Sequence, residues 1–366
     1  MRVDGDIRIL TTRQTEEWRQ LVKGATEKDI HFEPEYLKVF EESCNEEARL
    51  FIYEDAKTYV AYPFFVRRVD VLPFFKQSNK VKGGMSDIVS PWYFGGPIAR
   101  FTDDSIEEEV YRQFLDRFHT YCVDNGIVAE FTRLHPLFRG HLVYRRLTPE
   151  TRSDRCVVYI DLQQDGELIW HNLSKSNRNA ITKGRRLGVE VKILQANEGL
   201  SEFQQLYDAT MRRKDARDEY LFRPSFFERM ATLMPDSVTI VSARFEGRTI
   251  ASSMFLHKYG FVHYYLSGSD AKFLSLCPNN VLLYEAILWA KNLGYKYFVL
   301  GGGYQPHDNL FRFKRSFSDT LADFCVYKKV HDEEAYERLC QLRDSYDSSM
   351  KISTAKTEYF PEYRKP

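Results

Sequence analysis

The residues best suited to chemistry lie in the second half of the chain. Asn172 to Lys192 reads NLSKSNRNAITKGRRLGVEVK and carries Lys175, Arg178, Lys183, Arg185, Arg186 and Lys192 against a single acid, Glu190. Ser174, Ser176, Asn177 and Asn179 add hydroxyl and amide groups, and such a mixture suits sugar and phosphate. Wound as a helix, the spacing puts Lys175, Arg178 and Lys183 on one side. The bland alternative is a solvated helix face. Arg217 and Tyr220, in ARDEY, form a second set. An arginine fork fits phosphate or carboxylate better than lysine does, or it pairs locally with Asp215 or Asp218. Arg223 is a candidate of the same kind. A third set follows a short strand: GGGYQPHD, Gly301 to Asp308, then Phe313 and Lys314 in FRFKRSF. Three glycines allow close backbone approach to a ligand, or simply make a tight turn. His307 is a possible base, although lone histidines are more often structural. Tyr264 and Tyr265 are neighbours on a strand and face opposite ways, and Tyr265 is the one expected to face substrate.

These sets need elements to hold them. Cys156 to Leu162 reads as a strand, Asp165 to Leu187 as a helix ended by Gly188, and Val189 to Leu194 as a strand. Helices follow at Leu200 to Arg213 and Ser225 to Met234. Val238 to Phe245 and Thr249 to Lys258 form a hairpin about Glu246 and Gly247. Phe261 to Leu266 is a strand, and Pro278 to Leu293 is a helix with proline at its start and Gly294 past its end. Tyr297 to Leu300 is a short strand. The first third shows a weaker alternation: strands at Arg49–Tyr53, Thr58–Arg67 and Ile127–Arg133, and a helix from Asp104 to Val123. The loop KGGMSDIVSPWYFGGPIARF, Lys82 to Phe101, reads as a shaped wall rather than a linker. The pattern is that of mixed α/β sheets, and a duplicated domain is plausible without a visible repeat.

Several classes are excluded. The 366 residues fit two domains, or three, at ~150 residues each. Lys plus Arg number 52 and Asp plus Glu number 52, so any polyanion site must be local. No CxxC pair, HExxH, GxxxxGK[ST], helix-opening GxGxxG or GxSxG occurs, and no metal or resident cofactor is expected. The six cysteines read as reduced, mostly buried thiols. The N-terminus lacks a signal pattern and no apolar run spans a bilayer, so a cytoplasmic location without membrane insertion is expected.

Leu168 to Val191, LIWHNLSKSNRNAITKGRRLGVEV, resembles a hallmark of FemABX-type transferases. These are aminoacyl-tRNA-dependent peptidyltransferases that build peptidoglycan cross-bridges, within the GNAT-like acyltransferase superfamily. Met211 to Phe227, MRRKDARDEYLFRPSFF, resembles the family's Arg-Asp segment followed by an aromatic. Asn280 to Phe317 resembles its closing block, with Phe313, Lys314 and Phe317 as the FK--F motif. The SPWYFGGP loop, Ser90 to Pro97, resembles a loop of GNAT-like relatives. The resemblance covers most of residues 155 to 320. It implies two GNAT-like domains with a cleft between them, residues 1–154 completed by 320–366, and residues 155–319. The returning strand would be Leu321 to Val330, followed by a helix at Glu333 to Tyr346. No long heptad run is present, so no coiled-coil arm is expected.

The resemblance also implies roles. Lys314 matches the lysine near the reacting ester, where a cation would stabilise a developing oxyanion. Arg217 and Tyr220 match residues that hold an anionic acceptor, and Arg223, Tyr265 and Phe313 are the further substrate-binding candidates. Lys175, Arg178, Lys183, Arg185 and Arg186 would contact tRNA. Ordinary GNAT enzymes instead cradle the acyl-CoA pyrophosphate on a glycine-rich turn opening a helix. Here that turn is SGSDAKFLSLCPNN, which keeps Gly268 but not the glycine spacing, and Pro278 removes a donor. The expected function is transfer of an aminoacyl group from aminoacyl-tRNA to an amine of a small molecule or peptide, such as a peptidoglycan-precursor stem peptide. No catalytic base is assigned. The rivals are an acyl-CoA-dependent N-acyltransferase acting on an amino sugar or amino acid, and a non-catalytic binding protein. Retention of the FK--F lysine argues against the latter. The sequence leaves the oligomeric state open.

Overall fold

The computed structural model describes residues 5–44, 46–55, 58–76, 84–305, 308–352 and 359–365. The chain divides into two compact units: Met1–Asp154 with Phe324–Pro366, and Arg155–Asp323.

The first unit begins with β1 (Asp6–Thr11), α1 (Thr15–Gly24) and α2 (Pro34–Cys44). It continues through β2 (Glu47–Asp55), β3 (Thr58–Arg68), α3 (Pro73–Lys76), β4 (Ser86–Val89), β5 (Ile98–Arg100), α4 (Glu107–Asp124), β6 (Ile127–Arg133) and α5 (Gly140–Leu147). The second unit contains β7 (Thr151–Asp161), α6 (Gly166–Asn172), α7 (Lys175–Arg186), β8 (Glu190–Gln195), α8 (Ala196–Arg213), α9 (Pro224–Leu233), β9 (Val238–Phe245), β10 (Arg248–Lys258), β11 (Phe261–Ser269), α10 (Pro278–Asn292), β12 (Tyr297–Gly301) and α11 (Asn309–Arg315). The chain then gives β13 (Leu321–Val330) and α12 (Glu333–Ser349) to the first unit.

Each unit carries the same sheet plan. In the first, the order β1-β2-β3-β4-β6-β13 is antiparallel except for the parallel pair β4/β6. In the second, β8-β9-β10-β11-β12-β7 is antiparallel except for the parallel pair β11/β12. The helices fall in matching places: a pair after the first strand, and one crossover helix between the two parallel strands. Each crossover helix fills its unit's core. α4 sets Phe114 and Phe118 against Phe51, Tyr62 and Phe64. α10 sets Leu283, Ala286 and Ile287 against Phe255, Val262 and Phe298. Pro278 opens α10 with a pre-set φ, and Gly294, at φ 79°, ends it.

One expected element is broken. Asp165 to Leu187 is two helices, not one, separated at Leu173 and Ser174. The Ser174 hydroxyl accepts the Asn177 N–H and starts α7 as its N-cap. The Arg178 guanidinium donates to the carbonyls of His171 and Leu173, satisfying the end of α6. Cysteine burial is also less uniform than expected. Cys122 and Cys325 are buried, Cys277 and Cys340 are half-buried, and Cys156 is exposed. The Cys44 side chain lies outside the described residues.

Among the acids that the first unit buries, three on or beside its sheet have well-defined partners. Asp87 on β4 is bound by Arg67, Arg364 and the Tyr363 hydroxyl. Glu130 on β6 accepts from Tyr62 and from Thr132 and faces His331 Nε2 at 3.2 Å. Asp29 faces His135 Nε2 at 2.9 Å and His31 Nδ1 at 3.2 Å. The Leu137 N–H donates to His135 Nδ1, so the His135 proton sits on Nε2, toward Asp29.

Candidate active site

β11 and β12 run side by side for three residue pairs, Phe261–Tyr297, Val262–Phe298 and His263–Val299. β11 then continues along β10 as far as Ala251–Ser269, while β12 stops at Gly301. The β10–β11 ladder slips at Met254/Phe255, which leaves Tyr265 as the extra residue of a bulge. Tyr265 is 7% exposed. Tyr264 packs on the α10 core beside Phe255.

The glycine triplet follows where the strands part. Gly301 has φ 80°. A Cβ on Gly303 would stand 2.3 Å from Asp308 Oδ1, so only glycine lets the chain pass the carboxylate. Asp308 caps α11, accepting from the N–H groups of Phe311 at 2.7 Å, Tyr304 at 2.7 Å and Gln305 at 3.1 Å. Partial burial pushes its carboxyl up, but these donors and nearby Lys314 outweigh it and hold the pKa below the usual range.

Lys314 is buried on α11. Its Nζ donates to the Gly302 carbonyl at 2.6 Å. Burial lowers its pKa from 10.5 to about 7, opposed only in part by Asp308. Phe313 packs at the edge of the second unit's core, 5.3 Å from Phe317.

Tyr220 joins this corner. Its ring stands perpendicular to Tyr304, 5.5 Å between centroids. Arg217 is exposed and lies 3.6 Å from Glu219 rather than pairing with Asp215 or Asp218. Arg223 is exposed at the start of α9. Tyr304 and Arg155 were not singled out from sequence. Arg155 donates to the carbonyls of Gly303, at 2.9 Å, and Tyr304. An aromatic directly after the glycine triplet was a usable signal for Tyr304, whereas nothing in the strand sequence marked Arg155. His307 lies outside the described residues.

The basic helix separates into two groups. Asn177, Ile181 and Gly184 face the core, and Lys175, Lys183 and Arg186 are exposed on α7. Arg178 is spent on the end of α6, as described, and so does not share the open face with Lys175 and Lys183. Arg185 bonds Glu285 at 2.5 Å and lies over the Tyr284 ring.

The start of α10, where a pyrophosphate would sit in an acyl-CoA enzyme, is closely packed. The N–H groups of Asn280 and Val281 both turn back to the Cys277 carbonyl. Asn177 bridges the Asn280 side chain and the Ser316 carbonyl. A Cβ on Gly184 would stand 2.5 Å from Val281, so α7 lies directly against this end. Gly268 has a packing role too, because a Cβ there would meet the α8 backbone at 2.3 Å.

This plan, a meander, a crossover helix and a parallel strand parting from its neighbour, is the GNAT-like fold in tandem. The family model for an acetyltransferase (GNAT) domain matches residues 172–315, which places an acyltransferase domain in the second unit. A crystal structure of FemX superposes with a TM-score of 0.68 at 13% identity, covering 91% of this chain and 99% of that one. The chain therefore has the fold of the FemABX-type, GNAT-like proteins. The C-terminal domain of a putative lysylphosphatidylglycerol synthetase from Agrobacterium fabrum gives 0.51 at 14% identity, covering 93% and 97%. A Bacteroides thetaiotaomicron protein of unknown function gives 0.57 at 10%, covering 89% and 100%. No curated protein matches at the sequence level. Among the described residues, no helix is long and apolar enough to cross a membrane.

Proposed function

We propose that the chain is an N-acyltransferase that moves an aminoacyl group from aminoacyl-tRNA to an amine, with a peptidoglycan-precursor stem peptide as the nominal acceptor. The observation that carries the choice of donor is the donor-poor N-terminus of α10. A pyrophosphate cradle needs outward-facing backbone N–H groups. Here Pro278 has none and that of Asn280 bonds the Cys277 carbonyl, which leaves the first turn the N–H of Asn279 alone to offer. A tRNA needs no such cradle, because distributed cations hold its backbone. Lys175, Lys183 and Arg186 offer three on one exposed face, with Lys192 on the edge strand β8. The FemABX resemblance points to the same donor, and a tRNA donor implies a cytoplasmic setting.

The reaction joins the acceptor nitrogen to the ester carbonyl carbon and releases the ribose hydroxyl of the tRNA. Lys314, next to the glycine triplet, is the polar group to which this chemistry is assigned. Arg217, Tyr220 and Tyr304 would contact the acceptor at the same corner. Acyl-CoA is the second reading, favoured by the acetyltransferase family match. Incubation with charged, radiolabelled tRNA, and separately with acetyl-CoA, against a pool of amines decides between them. Amine-dependent deacylation of the tRNA is the expected result. Saturable CoA binding with no effect on the tRNA would overturn it.

A further inference from the structure

The expected role for Lys314 was that of a fixed cation, and no base was assigned. Its surroundings point elsewhere. The amine is enclosed by protein, and its hydrogen bond among the described residues goes to a neutral carbonyl, that of Gly302. Asp308, the acid whose charge reaches it, has its oxygens engaged by three backbone N–H groups and makes no ion pair with Lys314 among the described residues. An ammonium ion enclosed without a paired carboxylate is costly, whereas an amine that gives one N–H to a carbonyl keeps a lone pair for use.

The other charged groups nearby are committed. On α11, Arg315 turns to the Ser318 carbonyl and Asp319, and Arg312 is exposed. From β7, Arg155 faces the carbonyls of Gly303 and Tyr304. From α7, Arg178 faces the carbonyls of His171 and Leu173. Burial raises the phenol pKa values of Tyr304 and Tyr220 above the ordinary value, so both stay neutral at pH 7.

We infer that Lys314 is the proton-transfer group of the acyl transfer proposed above, entering the reaction as a neutral amine. The acceptor nitrogen attacks the ester carbonyl carbon and a C–N bond forms. Lys314 Nζ takes the proton released from that nitrogen and becomes an ammonium. The C–O bond to the ribose then breaks, and the ammonium returns the proton to the leaving oxygen. Atoms and charge balance, and the lysine ends neutral. This rests on the second unit being the acyl-transfer site, but not on which donor it uses. The amine pKa of about 7 fits a group that both takes and returns a proton near neutrality.

The test is a single-turnover pH profile from pH 6 to 9 with methoxyamine as acceptor, a weakly basic nucleophile already neutral across that range, so that its own deprotonation drops out. The wild-type rate should rise about tenfold per pH unit below ~7 and level off above it. Lys314→Arg keeps the charge and cannot give up its proton, so it should lose at least about a hundredfold. Lys314→Met should lose as much. NMR of 15N-labelled lysine, with the Lys314 signal assigned by its absence in the variants, should show titration near pH 7 whatever the activity. A rate that falls as pH rises through 7, a Lys314→Arg enzyme within a few-fold of wild type, or a Lys314 midpoint above pH 9 would overturn the assignment. Transfer from acetyl-CoA alone would refute the donor while leaving this profile to decide the role of Lys314. No transfer from either donor would overturn both.

Discussion

The two units treat the same seam in opposite ways. In the first, the parallel pair β4/β6 stays closed beyond β4. The Ser90 N–H donates to the Phe131 carbonyl, its hydroxyl accepts the Arg133 N–H, and the Gly95 N–H reaches the Arg133 carbonyl at 2.7 Å. A bridge from Gly95 to Leu134 carries the pairing on. In the second unit, β11 and β12 part after three pairs, and the glycine triplet and Lys314 occupy the place where they diverge. Buried charge follows the same division. Asp29, Asp87 and Glu130 are each met by histidine, arginine or hydroxyl partners, whereas Lys314 has a carbonyl. Duplicated architecture has left one copy sealed and internally neutralised, and the other strained in its electrostatics. Strain of that kind is expected where a group must change protonation state.

The largest effect that would sharpen this contrast is the loss of Lys314. Lys314→Met should lower the chemical step by ~10²–10⁴-fold while making the fold more stable by about 1–3 kcal/mol near pH 6, as read by denaturant midpoint. The pH dependence has a definite sign. The folded pKa of about 7 lies below the ordinary 10.5, so between these values the unfolded chain binds the extra proton. Stability should therefore rise with pH across that window, and Lys314→Met should flatten the rise. A variant less stable than wild type at pH 6 would break the contrast.

Asp87→Asn probes the neutralised side. It leaves the half-buried Arg67 and Arg364 without the anion that both bond and should cost about 3–5 kcal/mol, with the single-turnover rate of the folded fraction unchanged. An unchanged denaturation midpoint would mean that the pairing does not hold the first unit together. Gly268→Ala should cost about 1–3 kcal/mol, because its methyl group meets the α8 backbone. A neutral result by thermal melting would reopen that turn as a ligand loop. The smallest effects belong to the exposed cations. Lys183→Ala and Arg186→Ala should each weaken tRNA binding modestly and lower the slope of log K against log salt by about one. Arg185→Ala should leave the slope nearly as it was and act on stability through Glu285 and Tyr284.

Periodicity and end signals made most of the second unit legible. Pro278 and Gly294 bracket α10, and Glu246 and Gly247 mark the hairpin; in the first unit Ile127–Arg133 is a strand as read. The break at Ser174 was hidden because serine is tolerated inside helices, and only the Asn177 N–H shows it to be a cap. Arg178 and Arg185 looked like phosphate ligands because sequence shows a charge and not its partner. One partner is the end of the preceding helix, and the other lies 100 residues away on α10. Lys314 was legible as a position but not as an environment. Flanked by arginine and phenylalanine it reads as surface, and its enclosure comes from a carbonyl twelve residues earlier.

The sixth strand of the first unit has a consequence for synthesis. β13 pairs Lys329 with Glu130 and Val330 with Ala129, bridging roughly 200 residues of chain. The second unit is one continuous stretch and can close its sheet as soon as Asp323 has emerged. The first unit, although translated first, must keep the flank of β6 uncovered until β13 appears. Folding therefore runs against the direction of translation, and the sealed half of the molecule is the half that finishes last.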